Sequence, residues 1–104
     1  MIPDLFHVQT LAAILFCIGI AVALTRRNLF FVLMGIELAL NAANLSFIGF
    51  SRTLPADASI IGQIVPLFSI AVAAAEACIG LAMVILVFRV RESLDSESIA
   101  SLKE

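Results

Sequence analysis

Apolar residues fill three long stretches of this chain, and polar residues punctuate it in only a few places. The stretches run from about Leu5 to Leu24, Leu29 to Phe50 and Ile64 to Phe88. Each reaches the roughly 20 apolar residues that a helix needs to cross a bilayer. The pattern therefore predicts an all-α membrane protein of three transmembrane helices. Between the first two stretches lies only Thr25-Arg26-Arg27-Asn28, a tight polar turn that forces an antiparallel hairpin. Between the second and third lies a loop, residues 51–59, that contains Arg52, Pro55, Asp57 and two serines at its ends. Residues 89–104 form a polar tail, expected to be aqueous and helical in part. There is no internal repeat and no low-complexity stretch, so residues 1–104 are expected to form one membrane domain.

Composition agrees with the pattern. Of 104 residues, 62% are hydrophobic and 13% charged, about half the charged share of an ordinary globular domain. The mean hydropathy is +1.16. A soluble domain of this size cannot hide that much apolar surface, because small domains bury the smallest fraction of their chain. A net charge of −2, with no basic patch, speaks against a nucleic-acid partner.

Charge asymmetry predicts the orientation. Arg26 and Arg27 in the first turn lie on the same side as Arg89 and Arg91 at the start of the tail. The opposite side carries Arg52 balanced by Asp57, and an N-terminus with Asp4 but no Lys or Arg. The positive-inside rule then puts the N-terminus in the periplasm and the tail in the cytoplasm. Ala21-Val22-Ala23 has the form of a signal-peptide cleavage site. No positive charge precedes the first stretch, however, and that helix is expected to stay.

The chemistry lies inside the membrane. Two ionisable residues sit well within the apolar stretches, Glu37 in the second and Glu76 in the third. Glu37 follows Arg27 by ten residues, about 15 Å along a helix, and Glu76 is near the middle of its stretch. An acidic residue at mid-depth costs about 2.5 to 3.5 kcal/mol on insertion scales. Hydrocarbon favours a neutral carboxyl, and neighbours that offset this set its proton affinity. Two such groups at similar depth on adjacent helices have the form of stations on a lateral proton path. The plainer alternative is that each is protonated and hydrogen-bonded, holding helices together.

Helical spacing extends the picture. Glu37, Asn41 and Asn44 fall at i, i+4 and i+7, while Gly35, Ala39, Ala42, Ala43 and Ser46 offer a small surface for another helix. In the third stretch Ser69, Ala73, Glu76 and Gly80 share a face, and Ala71, Ala74, Ala75, Cys78 and Ala82 form a second, small-residue face. Small residues on several faces imply more helix neighbours than three helices supply, hence a larger assembly. Cys17 and Cys78 lack metal-ligand spacing and are expected to be packing residues. His7, near the outer membrane edge, is expected to be an interfacial polar residue. Phosphate-binding loops, iron–sulfur ligands and nucleophile–base sets are all missing from the sequence.

Two separated motifs carry a family resemblance. Arg26-Arg27-Asn28-Leu29 followed by Met34-Gly35-Ile36-Glu37-Leu38-Ala39-Leu40-Asn41-Ala42-Ala43-Asn44-Leu45, with Ala73-Ala74-Ala75-Glu76-Ala77 and Ile79-Gly80-Leu81-Ala82, resembles subunit K of bacterial NADH-quinone oxidoreductase (complex I). The resemblance covers essentially the whole chain. It implies a small subunit of the proton-translocating membrane arm, in the bacterial inner membrane, beside subunits of the A, J and N types. It implies that Glu37 and Glu76 link quinone chemistry to proton pumping, supported by Arg26 and Arg27 in a cytoplasmic loop. It also implies that NADH, flavin, iron–sulfur clusters and quinone belong to other subunits, with no cofactor or metal in this chain. Two rival readings are the small subunit of a multi-subunit cation/proton antiporter, whose members generally lack this glutamate pair, and a scaffold without transport function.

Overall fold

A computed structural model describes residues 4–103, and three helices account for nearly all of them. They are α1 (Leu5–Thr25), α2 (Leu29–Ser51) and α3 (Ala56–Lys103). No strand occurs among the described residues. A chain in hydrocarbon must satisfy its backbone internally, and the helix does so within each segment. All three helices are long and apolar enough to span a membrane. Polar caps start the first two. The Asp4 carboxylate accepts from the Phe6 N–H at 2.7 Å and the Asn28 carboxamide from the Phe30 N–H at 2.9 Å.

The second connection is shorter than the sequence pattern implies. α2 continues to Ser51, and the chain turns through N–H groups of Thr53 and Leu54 that donate to the carbonyls of Phe50 and Ser51. α3 then begins at Ala56, eight residues before the expected span, with the Ser59 N–H bonded to the Pro55 carbonyl. Asp57 in this first turn faces the positive end of the helix dipole. At the other end α3 does not stop at the membrane edge. Its 48 residues correspond to about 72 Å at 1.5 Å per residue, which matches the 74 Å long dimension of the protein. The expected aqueous tail is a continuation of the third helix. Starting from an already formed helix, residues 89–103 avoid the nucleation cost that makes short isolated helices marginal.

α2 is the central element. α1 and α3 both pack on it, and their backbones do not approach each other among the described residues. The contact with α1 is a backbone approach over small residues. Ala12 and Gly19 of α1, and Gly35, Ala39, Ala42 and Gly49 of α2, are buried. A Cβ at Gly19 would lie 2.6 Å from the Gly35 carbonyl oxygen, and one at Gly35 would lie 2.7 Å from both Ala23 N and Gly19 O. Near the other end Gln9 Nε2 donates to the Ser46 carbonyl at 2.9 Å while the Ser46 hydroxyl donates to Gln9 Oε1. On the opposite side of α2, Asn44 and Ser51 are buried toward α3, which presents Gly62, Pro66, Ser69, Ala73, Ala77 and Gly80 at helical spacing. Pro66, fully buried, leaves the Gly62 carbonyl without its usual helical donor. Most large apolar side chains point away from the chain, as expected where lipid or neighbouring subunits provide the surroundings.

Candidate functional site

The depth relation between the two glutamates follows from the register of α2 and α3. A Cβ at Gly80 would meet the Leu33 side chain, and one at Gly62 would meet Ser51. In both pairs the residue numbers add to 113, and so do 37 and 76. Glu37 and Glu76 are therefore level with each other across the α2–α3 contact. The same register sets Asn44 level with Ser69.

Glu37 is half-buried and lines an open groove of about 630 Å³ on one face of the helix row. Val22 of α1 and Arg26 just beyond its end form one wall, Ala77 and Leu81 of α3 the other, and Met34, Glu37, Leu38 and Asn41 of α2 the floor. The groove is apolar apart from these few groups, so its carboxyl, its carboxamide and the arginine at its mouth are the available polar partners. The Arg26 guanidinium lies 5.8 Å from the centroid of the Phe31 ring, a cation–π arrangement that holds the first arginine over the hairpin. Arg27 is exposed.

Glu76 is exposed and faces the other side of the row. Gly80, Met83 and Val87 follow it at i+4, i+7 and i+11, and they line a second, wholly apolar groove with Leu29, Val32 and Ile36 of α2. Glu37 and Glu76 thus border the α2–α3 contact from its two edges, with Ala73 and Ala77 between them.

Several sequence expectations meet a different outcome. The stripe Glu37, Asn41, Asn44 divides, because Asn44 turns into the α3 contact and leaves its Nδ2 buried without a hydrogen-bond partner. In α3 the face that packs is the one with Ser69, Ala73 and Gly80, joined by Ala77, while Ala71, Ala74, Ala75, Cys78 and Ala82 are exposed. Both faces are small, so composition does not choose between them; Gly62, Pro66, Ala73 and Gly80 lie in register with α2 and permit the closer approach. In α2, Gly35, Ala39 and Ala42 do pack, and Ala43 is exposed. Cys17 and Cys78 are both exposed free thiols, not interior packing residues, because each lies on an outer face of its helix. His7 is exposed, with Nδ1 3.6 Å from Asp4 Oδ1 at the start of α1. Gln9 is a contact residue that the apolar pattern does not single out. A signal for it exists, since a carboxamide inside an apolar stretch demands a polar partner on a neighbouring helix. Among the described residues no group of three or more His, Cys, Asp or Glu side chains can hold a metal ion.

Relatives fit this architecture. Residues 7–104 match the family described as NADH-ubiquinone/plastoquinone oxidoreductase chain 4L. NADH-quinone oxidoreductase subunit K of Bacillus anthracis is 52% identical over 94 residues, covering 90% of this chain and 89% of its own length. The Bacillus cereus protein of the same name is 51% identical over the same span. The chloroplastic NAD(P)H-quinone oxidoreductase subunit 4L of Mesostigma viride is 50% identical over 93 residues, covering 89% of this chain and 91% of its own. With a family match over almost the whole length and relatives at half identity, the chain belongs to the NADH-ubiquinone/plastoquinone oxidoreductase chain 4L family.

Proposed function

We propose that Glu37 and Glu76 are the coupling elements through which this subunit links quinone reduction to proton translocation. The chain is a multi-pass membrane subunit of NADH-quinone oxidoreductase and works as part of that enzyme complex. The observation that carries the reading is the level placement of two carboxyls on adjacent helices, Glu37 against α3 and Glu76 at the same depth. Structural glue does not require two acids at one depth, whereas lateral transfer of a proton or a charge state does. Redox chemistry elsewhere in the complex changes the field and hydration around these groups. The change then passes along the membrane plane. Arg26 and Arg27 support the site from the cytoplasmic surface. NADH, flavin, iron–sulfur clusters and quinone reside in other subunits, and the neighbours in the membrane arm are subunits of the A, J and N types. The host membrane is the bacterial inner membrane, with the N-terminus periplasmic.

Glu37→Gln tests the reading, because it keeps volume and hydrogen-bonding capacity but removes the titrating proton. In an assembled complex, quinone reduction and membrane-potential generation are expected to fall together, by about a hundredfold or more, the typical contribution of a general acid–base group. Glu37→Asp, which retracts the acid by about 1.5 Å, is expected to retain part of the activity. Near-normal pumping in the assembled Glu37→Gln/Glu76→Gln double variant would refute the role and leave both groups as interhelical contacts.

A further inference from the structure

At one end of the protein α3 leaves the other two helices behind. By the α2–α3 register Arg27 is level with Leu86, because 27 and 86 also add to 113. α1 ends at Thr25 and α2 begins at Leu29, so beyond that level α3 continues alone to Lys103. From Phe88 to Lys103 it rises about 22 Å, with no glycine or proline to bend it. Every residue from Arg89 to Lys103 is exposed.

Exposed apolar side chains are ordinary where lipid surrounds a helix, but past Arg89 and Arg91 they face water. Val90, Leu94, Ser98 and Leu102 follow one another at intervals of four and form a single ridge along the extension. Leu94 is 58% exposed and Leu102 84%, so nothing in this chain covers that ridge. Local preference does not hold the helix either. Continuation from α3 removes the nucleation cost, yet Ser93, Ser96, Ser98 and Ser101 offer the backbone competing hydrogen bonds. A packed face is what such a segment requires.

Charge selects what packs there. Glu92, Asp95 and Glu97 form an acidic stretch uninterrupted by a base, and Asp95 and Glu97 flank the ridge on its two sides. None of the three has an ion-pair partner among the described residues. An anionic membrane surface repels such a helix. A second copy, held parallel by the shared membrane, would set each acid against its own kind. The complementary surface is a cytoplasmic segment of another membrane subunit, because Lys and Arg concentrate on that side.

We propose that residues 89–103 are a docking strut for another membrane subunit of the complex. The ridge of Val90, Leu94 and Leu102 packs against a helical cytoplasmic segment of that subunit, and Asp95 and Glu97 pair with Lys or Arg on it. The partner is helical because ridges at four-residue spacing seat in the grooves of another helix, and because a strut this tall needs a neighbour that also rises from the membrane.

This inference rests on the cytoplasmic orientation of the tail, and the test separates the two. The intact complex, with Cys17 and Cys78 replaced by serine, carries one new cysteine, Ser98→Cys on the ridge or Ser96→Cys on the reverse side. Inverted membrane vesicles present the cytoplasmic side to a water-soluble maleimide. Ser96→Cys is expected to label freely, and Ser98→Cys slower by about tenfold or more, as for a site reached only by local opening. A photo-crosslinking amino acid at Ser98 is expected to join another membrane subunit within a segment containing lysine or arginine, while one at Ser96 does not. Asp95→Lys/Glu97→Lys should bring Ser98→Cys labelling to within about threefold of Ser96→Cys by loosening the contact. Asp95→Asn/Glu97→Gln should have an intermediate effect, and it serves as the test if the charge reversal does not assemble. Equal labelling of the two cysteines in the parent complex, or a Ser98 crosslink to nothing, to lipid or to a second copy of this chain, would overturn the strut while leaving the orientation intact. Labelling of both cysteines in intact cells and of neither in inverted vesicles would overturn the orientation, and the cytoplasmic partner with it.

Discussion

A methyl group added at Gly35 should weaken the α1–α2 contact, whereas the same methyl at Gly80 should be nearly harmless. At Gly35 the new carbon would lie 2.7 Å from the backbone nitrogen of Ala23 and 2.7 Å from the Gly19 carbonyl oxygen. Ordinary contact begins at 3.4 Å, so the helices must separate by about 0.7 Å at this point. Both obstacles are backbone and cannot swing aside. Overpacking of this kind costs about 1–3 kcal/mol, or about 5–150-fold in an equilibrium. If the helices move apart as rigid rods, the Gln9–Ser46 bond of 2.9 Å stretches to about 3.6 Å and is lost as well. At Gly80 the obstacle is Cδ1 of Leu33, 2.9 Å away at the end of a rotatable side chain. A rotamer change relieves it, and the cost should stay under about 1 kcal/mol. Unfolding of the purified chain in mixed micelles under increasing SDS, monitored by circular dichroism, measures both substitutions. Equal destabilisation by Gly35→Ala and Gly80→Ala, or no effect of Gly35→Ala, would refute the claim that α1 and α2 meet through their backbones.

Three further outcomes are expected. Gln9→Leu and Ser46→Ala should each destabilise α1–α2 pairing by about 0.6 kcal/mol and by no more than about 1.7, the range for hydrogen bonds between membrane helices. Their double-mutant cycle should show the two effects to be coupled, and additive effects would mean the bond from the Ser46 hydroxyl to Gln9 Oε1 contributes nothing. Single cysteines at Ser96 and Thr53, introduced after the native thiols of Cys17 and Cys78 are replaced by serine, should label from opposite sides of intact cells, with Ser96 protected from a membrane-impermeant reagent. Labelling of Ser96 from outside would reverse the topology. Arg26→Ala/Arg27→Ala should lower coupled activity while much of the complex assembles, each cation being worth about 1 kcal/mol at an anionic surface; loss of assembly in step with activity, read on native gels, would make the pair a topology anchor only.

Hydrophobicity and spacing alone are enough to establish three membrane helices, because a segment in lipid has few ways to satisfy its backbone and the required length is set by the bilayer. The same reasoning isolates Glu37 and Glu76, since an acid in hydrocarbon is too costly to pass unnoticed. The arrangement of the helices is not legible in that way. Glycine and alanine occur on several faces of α2 and α3, and only their register decides that Gly35 meets Gly19 while Ala74 and Ala75 meet nothing in this chain. Where α3 begins and ends is hidden for a related reason: hydropathy reports the stretch that suits lipid, and backbone hydrogen bonds carry the helix past it at both ends, from Ala56 to Lys103. The sequence could place two carboxyls at one depth. That they stand at opposite edges of the α2–α3 contact, and that Asn44 leaves the stripe of Glu37 and Asn41 to become buried, depends on which face of each helix turns toward its neighbour. That choice is made by close backbone approach between distant residues, a property of the packed helices and not of any one segment.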